Sequence, residues 1–455
     1  MTAFVDVNGL NASLAYGMVK AGLPMAYRAG YLDLGRHIVQ ANASLWQANG
    51  SSWRDLIEPD AGSEDWLEWP TDGRADVVVG VPPCAGFSHL TGRGNSMIAD
   101  KVQKANAAHP INACMWATVR YAARLKPRVV MFESVADAYR LGRGLMQELR
   151  AELETITGRR YNLTHWLHDG VTMGAPTSRL RYLFVATRGR QPFAVRPVDS
   201  YAVKRATPLD DAIDDLATQP LQVGKQKILR PDLAGPWARR LRRRNLKVDG
   251  HHQPPTNVWE RRVEETLAQL ALAGDRWYEG ESMGEVLARL YAHSPGYAAQ
   301  ALMSEERAER MAAQGFSFGT FQIWREVGAL PCKLITGGGS WSHVHPHQPR
   351  NLTFREMARV QGWPDALDID YDVAEFGKEK LSAVWGKAVG CKVAEHAGRE
   401  LAEYLEADVA GKTVGERVGE REWVIDELDH ARRLRRQTLL ERRAWRSRLP
   451  GRSAG

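Results

Sequence analysis

The run Val77-Val78-Val79-Gly80-Val81, succeeded at once by Pro82-Pro83-Cys84, constrains the fold of this chain more than any other feature. A continuous β-branched run without polar alternation reads as a strand buried on both faces. Such strands occur almost only in parallel sheets covered by helices on both sides. Open sheets of that kind bind their ligands at the carboxyl ends of the strands, so the residues after the run emerge where chemistry takes place. Two prolines fix φ on the approach and leave no backbone donor to compete, which holds the Cys84 thiol in one place. A cysteine after an apolar run is, taken alone, as readily a core residue. The rest of the chain decides between the two.

Arg128-Val129-Val130-Met131-Phe132 is a second buried strand, and it ends in Glu133-Ser134-Val135, bringing a carboxylate to the same edge. Arg179-Leu180-Arg181 opens a third strand, Tyr182 to Ala186, with two guanidiniums at period 2 and therefore on one face. Far downstream stand Leu352-Thr353-Phe354-Arg355-Glu356 through Trp363-Pro364-Asp365, and then Gly386-Lys387-Ala388-Val389.

In this order and spacing the segments resemble the DNA cytosine carbon-5 methyltransferase family, over residues 4–190 and again over about 330–402. Pro82-Pro83-Cys84-Ala85-Gly86-Phe87-Ser88 resembles the family's Pro-Pro-Cys-Gln-x-Phe-Ser loop. Glu133-Ser134-Val135 resembles Glu-Asn-Val, Thr177-Ser178-Arg179-Leu180-Arg181 resembles Gln-x-Arg-x-Arg, and Gly386 to Val389 resembles the closing Gly-Asn-Ala-Val. The resemblance implies an α/β fold: a doubly wound, mostly parallel sheet of the S-adenosylmethionine (SAM) methyltransferase type with a smaller inserted target-recognition domain. It implies residues 1–190 and 336–410 as the catalytic domain and 191–335 as the DNA-reading region. Residues 411–455 read as a basic helical tail, and the helices at 353–362 and from about Ala388 are expected to pack against the first strand.

The implied chemistry explains the residue types. Carbon 5 of cytosine is a poor nucleophile, so a thiolate, here Cys84, must first add to carbon 6. Its pKa must be lowered or its proton removed as it adds, which Arg179 and Arg181 are suited to assist. Glu133 is expected to hold or protonate ring N3. Inside a duplex the ring is stacked, so the base must be flipped out. The glycine-punctuated segment Ser88 to Ser96, with Ser88 and Arg93, reads as a loop able to close on DNA.

Charge agrees with a double-stranded DNA partner. The chain carries 61 Lys and Arg against 54 Asp and Glu, a modest excess, but the positive charge is clustered. Arg239, Arg240, Arg242, Arg243 and Arg244 form one cluster inside the inserted region, and the tail forms another. No apolar stretch approaches membrane-spanning length and no signal peptide opens the chain. The four cysteines show neither a zinc spacing nor a disulfide framework. A cytoplasmic protein of a bacterial cell or phage-infected host, acting as a monomer on DNA, is expected. His343, His345 and His347 alternate, but the family has a similar His-Pro at this point, so no metal is assigned.

The donor side departs from the family. Its opening Asp-x-Phe-x-Gly-x-Gly-Gly turn is here Asp6-Val7-Asn8-Gly9-Leu10-Asn11-Ala12-Ser13, with side chains where glycines let backbone approach the donor. Asp33 is the substitute for the family's acidic residue after the second strand, and Lys387 replaces Asn beside Ala388. By resemblance the donor-binding candidates are Asp6, Asn8, Gly9, Asn11, Ser13, Asp33, Lys387 and Ala388. The departure leaves three readings: SAM-dependent methylation, which is narrowly favoured; transfer from 5,10-methylene-tetrahydrofolate to give 5-hydroxymethylcytosine; and a catalytically inactive DNA-binding relative.

Overall fold

The computed structural model describes residues 3–7, 12–30, 42, 44–47, 55–57, 75–87, 108, 112–196, 205–216, 221–223, 226–228, 277–283, 285–286, 323–332, 343–347, 351–368, 388–406 and 412–446. The chain divides into two compact units, Met1–Ala206 with Ala388–Gln437, and Thr207–Lys387 with Thr438–Gly455.

In chain order the first unit begins with β1 (Phe4–Val7), α1 (Ser13–Lys20), β2 (Met25–Gly30), α2 (Ser44–Gln47), β3 (Asp55–Ile57) and β4 (Val77–Gly80). It continues with α3 (Ala113–Leu125), β5 (Val129–Val135), α4 (Asp137–Thr157), β6 (Tyr161–Asp169) and β7 (Leu180–Arg188). The second unit holds α5 (Leu209–Ile213), the strand pair β8 (Leu221–Val223) and β9 (Gln226–Ile228), the pair β10 (Trp324–Arg325) and β11 (His343–Val344), and α6 (Phe354–Val360). The chain then returns through α7 (Cys391–Leu405), β12 (Glu416–Gly419) and β13 (Glu422–Asp426) to α8 (Leu428–Arg446).

The sheet of the first unit has nine strands in the order β12-β13-β6-β7-β5-β4-β1-β2-β3. Neighbours from β3 through β5 are all parallel, and β7 runs antiparallel to both β5 and β6. The expected doubly wound, mostly parallel architecture is present. Every residue of β1 and of β4 is buried, as apolar runs without alternation require. One antiparallel strand has a direct consequence for the site. Because β7 runs against β5, the start of β7 lies beside the end of β5, with Arg181 in register with Val135 and Leu183 with Glu133.

Helices cover both faces. On one, α3 and α4 contribute Met115, Val119, Leu145, Met146, Leu149 and Leu153 to a core that includes Val78, Val130, Phe132 and Phe184. On the other, α1 and α7 approach closely: a Cβ on Gly17 would stand 2.3 Å from the Ala394 Cβ, and one on Gly398 would stand 2.8 Å from the Ala21 Cβ. Gly17 therefore serves helix packing. The returning helix α7 thus packs on α1 rather than on the first strand. The 353–362 helix also departs from expectation, because α6 belongs to the second unit and packs on α5. A Thr353–Glu356 capping box starts α6. Buried Arg355 ties the helix to the turn after it by donating to the Pro364 and Leu367 carbonyls at 3.2 and 2.7 Å.

The segment read as a helical tail from 411 begins instead as a hairpin. Its second strand, β13, adds to β6 in parallel, with Glu422 beside Leu163 and Asp426 beside Leu167. The strands are short and charge-rich, so their period-2 signal is weak against the helical composition beyond them. Glu422 fixes this edge. It accepts from Arg143 at 2.9 Å and Gln147 at 2.8 Å, and its Oε1 lies 2.8 Å from His165 Nε2. Burial works to raise its pKa, but these hydrogen bonds overcome burial and hold it at about 2.

Two buried histidines, His165 and His168, and the half-buried His396 make this unit sensitive to acid. Burial first, then neighbouring arginines or another histidine, holds His165 at about 4, His168 at about 3 and His396 at about 4; at His165 the Glu422 contact only partly offsets burial. Each is neutral when folded and takes up a proton on unfolding below its ordinary value of about 6.5. Their contribution is therefore complete above about pH 6.5 and lost as pH falls toward 3–4. Stability measured by urea unfolding is expected to fall steadily from pH 7 to 4.5, by about 2.5 kcal/mol for each histidine held neutral. A flat midpoint over that range would show that the histidines are not held neutral.

Candidate active site

Cys84 comes just after β4, where the buried run ends. Val81 extends the strand by donating to the Val7 carbonyl at 3.2 Å, and Pro82 is buried. The chain then tightens into a single 3-10 turn, Ala85–Phe87, closed by Phe87 N–H donating to the Cys84 carbonyl at 3.1 Å. Phe87 is fully buried and beds on α4 at Gly142, where an added Cβ would stand 2.6 Å from its ring. Gly142 leaves helical geometry there (φ −118, ψ 16). A missing side chain and a local kink in α4 thus anchor the loop that carries the thiol.

Cys84, Glu133, Arg179 and Arg181 are brought together at this edge. Arg181 Nε stands 2.9 Å from Glu133 Oε1, and both side chains are largely or fully buried. Burial raises the Glu133 carboxyl above the usual range, against the lowering pull of Arg181 and then Arg179. The Cys84 thiol is raised as well, first by burial and then by Glu133, while Arg181, a Val135 backbone hydrogen bond and Arg179 work to lower it. Arg179 is itself fully buried, and burial together with Arg181 brings it down to about 9. The charge on Glu133 acts directly on the Cys84 thiol, so these two groups titrate together. A proton on Glu133 removes a charge that opposes the thiolate, and the two guanidiniums stabilise that thiolate. Burial still holds the thiol above its ordinary value, so the two guanidiniums and a proton on Glu133 are what this site offers to assist its ionisation.

Two neighbours were missed in the sequence. His168, in register with Arg181, is fully buried, and among the described residues neither of its ring nitrogens has a hydrogen-bond partner. Asp169 ends β6 and accepts the Arg179 N–H at 3.0 Å. The dipeptide His168-Asp169 had no motif to mark it, because its importance comes from β6 lying beside β7.

On the donor side, Asp6, Ser13 and Ala388 are buried. Ala12 keeps a left-handed turn (φ 55, ψ 23) ahead of α1, a conformation that costs an alanine about 1 kcal/mol. Ala12 therefore holds a glycine-type φ without being glycine. Asp6 lies 3.5 Å from Arg28 Nε, and burial, opposed by Arg28, raises its pKa to about 6. Among the described residues neither carboxylate oxygen of Asp6 has a hydrogen-bond partner, which suits a ligand group bearing N–H or O–H donors. Asn8, Gly9, Asn11, Asp33 and Lys387 lie outside the described residues, as do Ser88, Arg93, Arg239, Arg240, Arg242, Arg243 and Arg244.

In the second unit, Glu326, Cys332 and His343 present possible metal-ligand atoms within 4.8 Å of one another. His343 Nδ1 is 2.8 Å from Glu326 Oε1 and 4.0 Å from Cys332 Sγ. A histidine–carboxylate hydrogen bond accounts for the closest pair. Among the described residues no helix is long and apolar enough to cross a membrane.

The Type II methyltransferase M.DdeI of Desulfomicrobium norvegicum is 23% identical over 296 residues, which cover 64% of this chain and 63% of that protein. The match thus spans somewhat less than two thirds of that relative. Among solved structures, a protein described as a DNA modification methyltransferase encoded within an E. coli prophage aligns with a TM-score of 0.50 at 18% identity, covering 89% of this chain and 100% of that one. The Entamoeba histolytica methyltransferase EhMeth gives a TM-score of 0.47 at 10% identity, covering 89% and 99%. The family profile described as C-5 cytosine-specific DNA methylase matches residues 39–403, and the chain belongs to that family.

Proposed function

We propose that this protein transfers a one-carbon group to carbon 5 of cytosine in double-stranded DNA, with Cys84 as nucleophile and SAM as donor. The observation that carries the reading is the convergence of Cys84, Glu133, Arg179 and Arg181 at one sheet edge, two of them, Glu133 and Arg181, 2.9 Å apart. The Cys84 thiolate adds to carbon 6 of a flipped cytosine, and the electron pair of the 5,6 double bond moves into the ring. Glu133 gives its proton to N3, which takes up that pair and leaves an enamine nucleophilic at carbon 5. The resulting carboxylate is held by Arg181. After transfer to carbon 5, the carbon 5 proton is lost to a base, its bonding pair re-forms the double bond as the thiolate leaves, and the proton on N3 returns to the Glu133 carboxylate.

Asp6, Ser13 and Ala388 would hold the donor, with Asn8, Gly9, Asn11, Asp33 and Lys387 as further contacts. When bound, SAM supplies an electrophilic methyl group. The Ser88 to Ser96 loop, with Arg93, closes on the DNA, and Arg239, Arg240, Arg242, Arg243 and Arg244 meet phosphate, where cations give affinity without base readout. The reading also keeps the expectation that residues 191–335 read DNA sequence and that the protein acts as a monomer.

Nucleoside mass spectrometry of DNA incubated with the purified chain and isotope-labelled SAM tests the function. Labelled 5-methylcytosine is expected. Unlabelled 5-hydroxymethylcytosine formed only when methylene-tetrahydrofolate is supplied would replace SAM as donor and keep the thiol chemistry. Neither product, with no denaturant-resistant complex on 5-fluorocytosine DNA, would mark an inactive DNA-binding relative.

A further inference from the structure

The catalytic arginines lie at the end of a buried connection, and the carboxyl-terminal segment of the first unit grips that connection at several separate points. Residues 170–179 join β6 to β7. The Gly170 N–H donates to the Arg179 carbonyl at 3.1 Å, closing the loop. A Cβ on Gly170 would stand 2.7 Å from the Thr177 carbonyl oxygen, so the closure needs glycine. Asp169, 1% exposed, organises the interior. Its Oδ1 accepts the N–H groups of Val171 at 3.2 Å and Arg179 at 3.0 Å, and its Oδ2 accepts from Ser178 Oγ at 3.2 Å. One carboxylate thus sets the backbone position of the residue whose guanidinium faces Cys84 and Glu133.

That carboxylate is itself held from outside the loop. Arg435 of α8 donates through Nη2 to Asp169 Oδ2. Immediately ahead of α8, buried Glu427 accepts from Thr172 Oγ1 at 2.9 Å and donates its backbone N–H to the Leu167 carbonyl at 3.0 Å. Ala431 and Leu434, one and two helical steps along the same face, pack with Val171 and Ala206. A charged pair, a buried hydrogen bond and an apolar contact therefore converge on one loop. Arginines of α8 at Arg432, Arg433 and Arg436 are exposed, whereas Arg435, itself only part-covered, is engaged by buried Asp169.

We propose that Arg435, acting through Asp169, is a positioning residue for the Arg179–Arg181 pair, so that α8 is part of the catalytic apparatus rather than a solvated basic tail. The proposal rests on the thiol chemistry proposed above, and its consequence is specific. Because the two guanidiniums lower the Cys84 thiol, loosening Asp169 should make the thiol harder to ionise without weakening DNA binding. A purely phosphate-binding arginine would have the opposite signature, raising KM for DNA at constant kcat.

The test uses the full chain with Arg435→Ala, Arg435→Lys, Asp169→Asn and the double variant Asp169→Asn with Arg435→Ala. Two quantities are read: the pH dependence of Cys84 alkylation by iodoacetamide, tracked by peptide mass spectrometry, and the kcat and KM of transfer. Arg435→Ala should move the alkylation profile to higher pH and lower kcat about 10-fold with KM for DNA within about twofold. Arg435→Lys should recover most of both. In the Asp169→Asn background the Arg435→Ala change should add little, since both act through one contact. Should Arg435→Ala fail to fold, Arg435→Gln carries the same expectation with a smaller shift. Unchanged alkylation and kcat, a rise in KM alone, or fully independent losses in the double variant would overturn the proposal. If no donor supports transfer, the function falls, while the alkylation profiles still decide whether Arg435 positions the arginines.

Discussion

Cys84→Ala is expected to reduce product formation by at least about 10^4-fold, the scale on which removal of a covalent nucleophile acts. DNA affinity should change by less than about twofold, because the thiol supplies activation rather than binding energy. The surroundings of the thiol make the variant a clean probe. Cys84 stands just beyond a strand whose residues are buried, the turn after it is closed on its own carbonyl, and Phe87 is bedded against Gly142. Removing one sulfur from so supported a loop leaves the loop in place, so a loss of activity reports on chemistry. The measurement is single-turnover transfer to duplex DNA alongside a filter-binding or anisotropy titration. Turnover above a few per cent of the parent would remove Cys84 from the mechanism.

Glu133→Gln is expected to lower kcat by about 10^2- to 10^3-fold, within the range for loss of a positioned general acid. The glutamine amide keeps the volume and can still donate a hydrogen bond, but it cannot deliver a proton to N3. Two further readouts separate this role from a structural one. Burial raises the Glu133 carboxyl, so the protonated form is lost as pH rises through that elevated value, and the alkaline fall in rate that this produces should vanish in the variant. Glu133 is also a cause of the raised Cys84 thiol. Removing its charge should shift Cys84 alkylation to lower pH, opposite in sign to the shift expected for Arg435→Ala. An unchanged rate profile together with an unmoved alkylation profile would leave Glu133 as an ordinary partner of Arg181.

The acidic edge of the sheet has a different logic from the active site. Glu422 is held at about 2 by three hydrogen-bonding neighbours, so its stabilising contribution is present above its ordinary value of about 4.3 and lost only as pH falls toward 2. The loss expected between pH 7 and 4.5 belongs to His165, His168 and His396 instead. The two groups therefore act in adjoining pH windows, and a single titration of stability distinguishes them.

What the sequence determined by itself was local. An unbroken Val77–Val79 run can be satisfied only by burial on both faces, so the parallel sheet and the emergence of Cys84 at its edge were legible from residue type alone. Glu133 at the end of an apolar run and the arginine pair at period 2 were legible for the same reason, and their order along the chain carried the family resemblance. Spacing along one strand says nothing about what lies beside it. That Arg181 meets Glu133 depends on β7 running antiparallel to β5, and that Asp169 holds Arg179 depends on a loop closing over ten residues. The carboxyl-terminal segment shows the limit most clearly. Its charge density reads as a solvated helix, yet Glu422, Glu427 and Arg435 are each engaged by partners more than 250 positions away in sequence. A charged residue is stable inside a fold only when its partner is brought to it, and that partner is chosen by tertiary structure, so composition alone gives the charge and only the fold decides whether it faces water or the site.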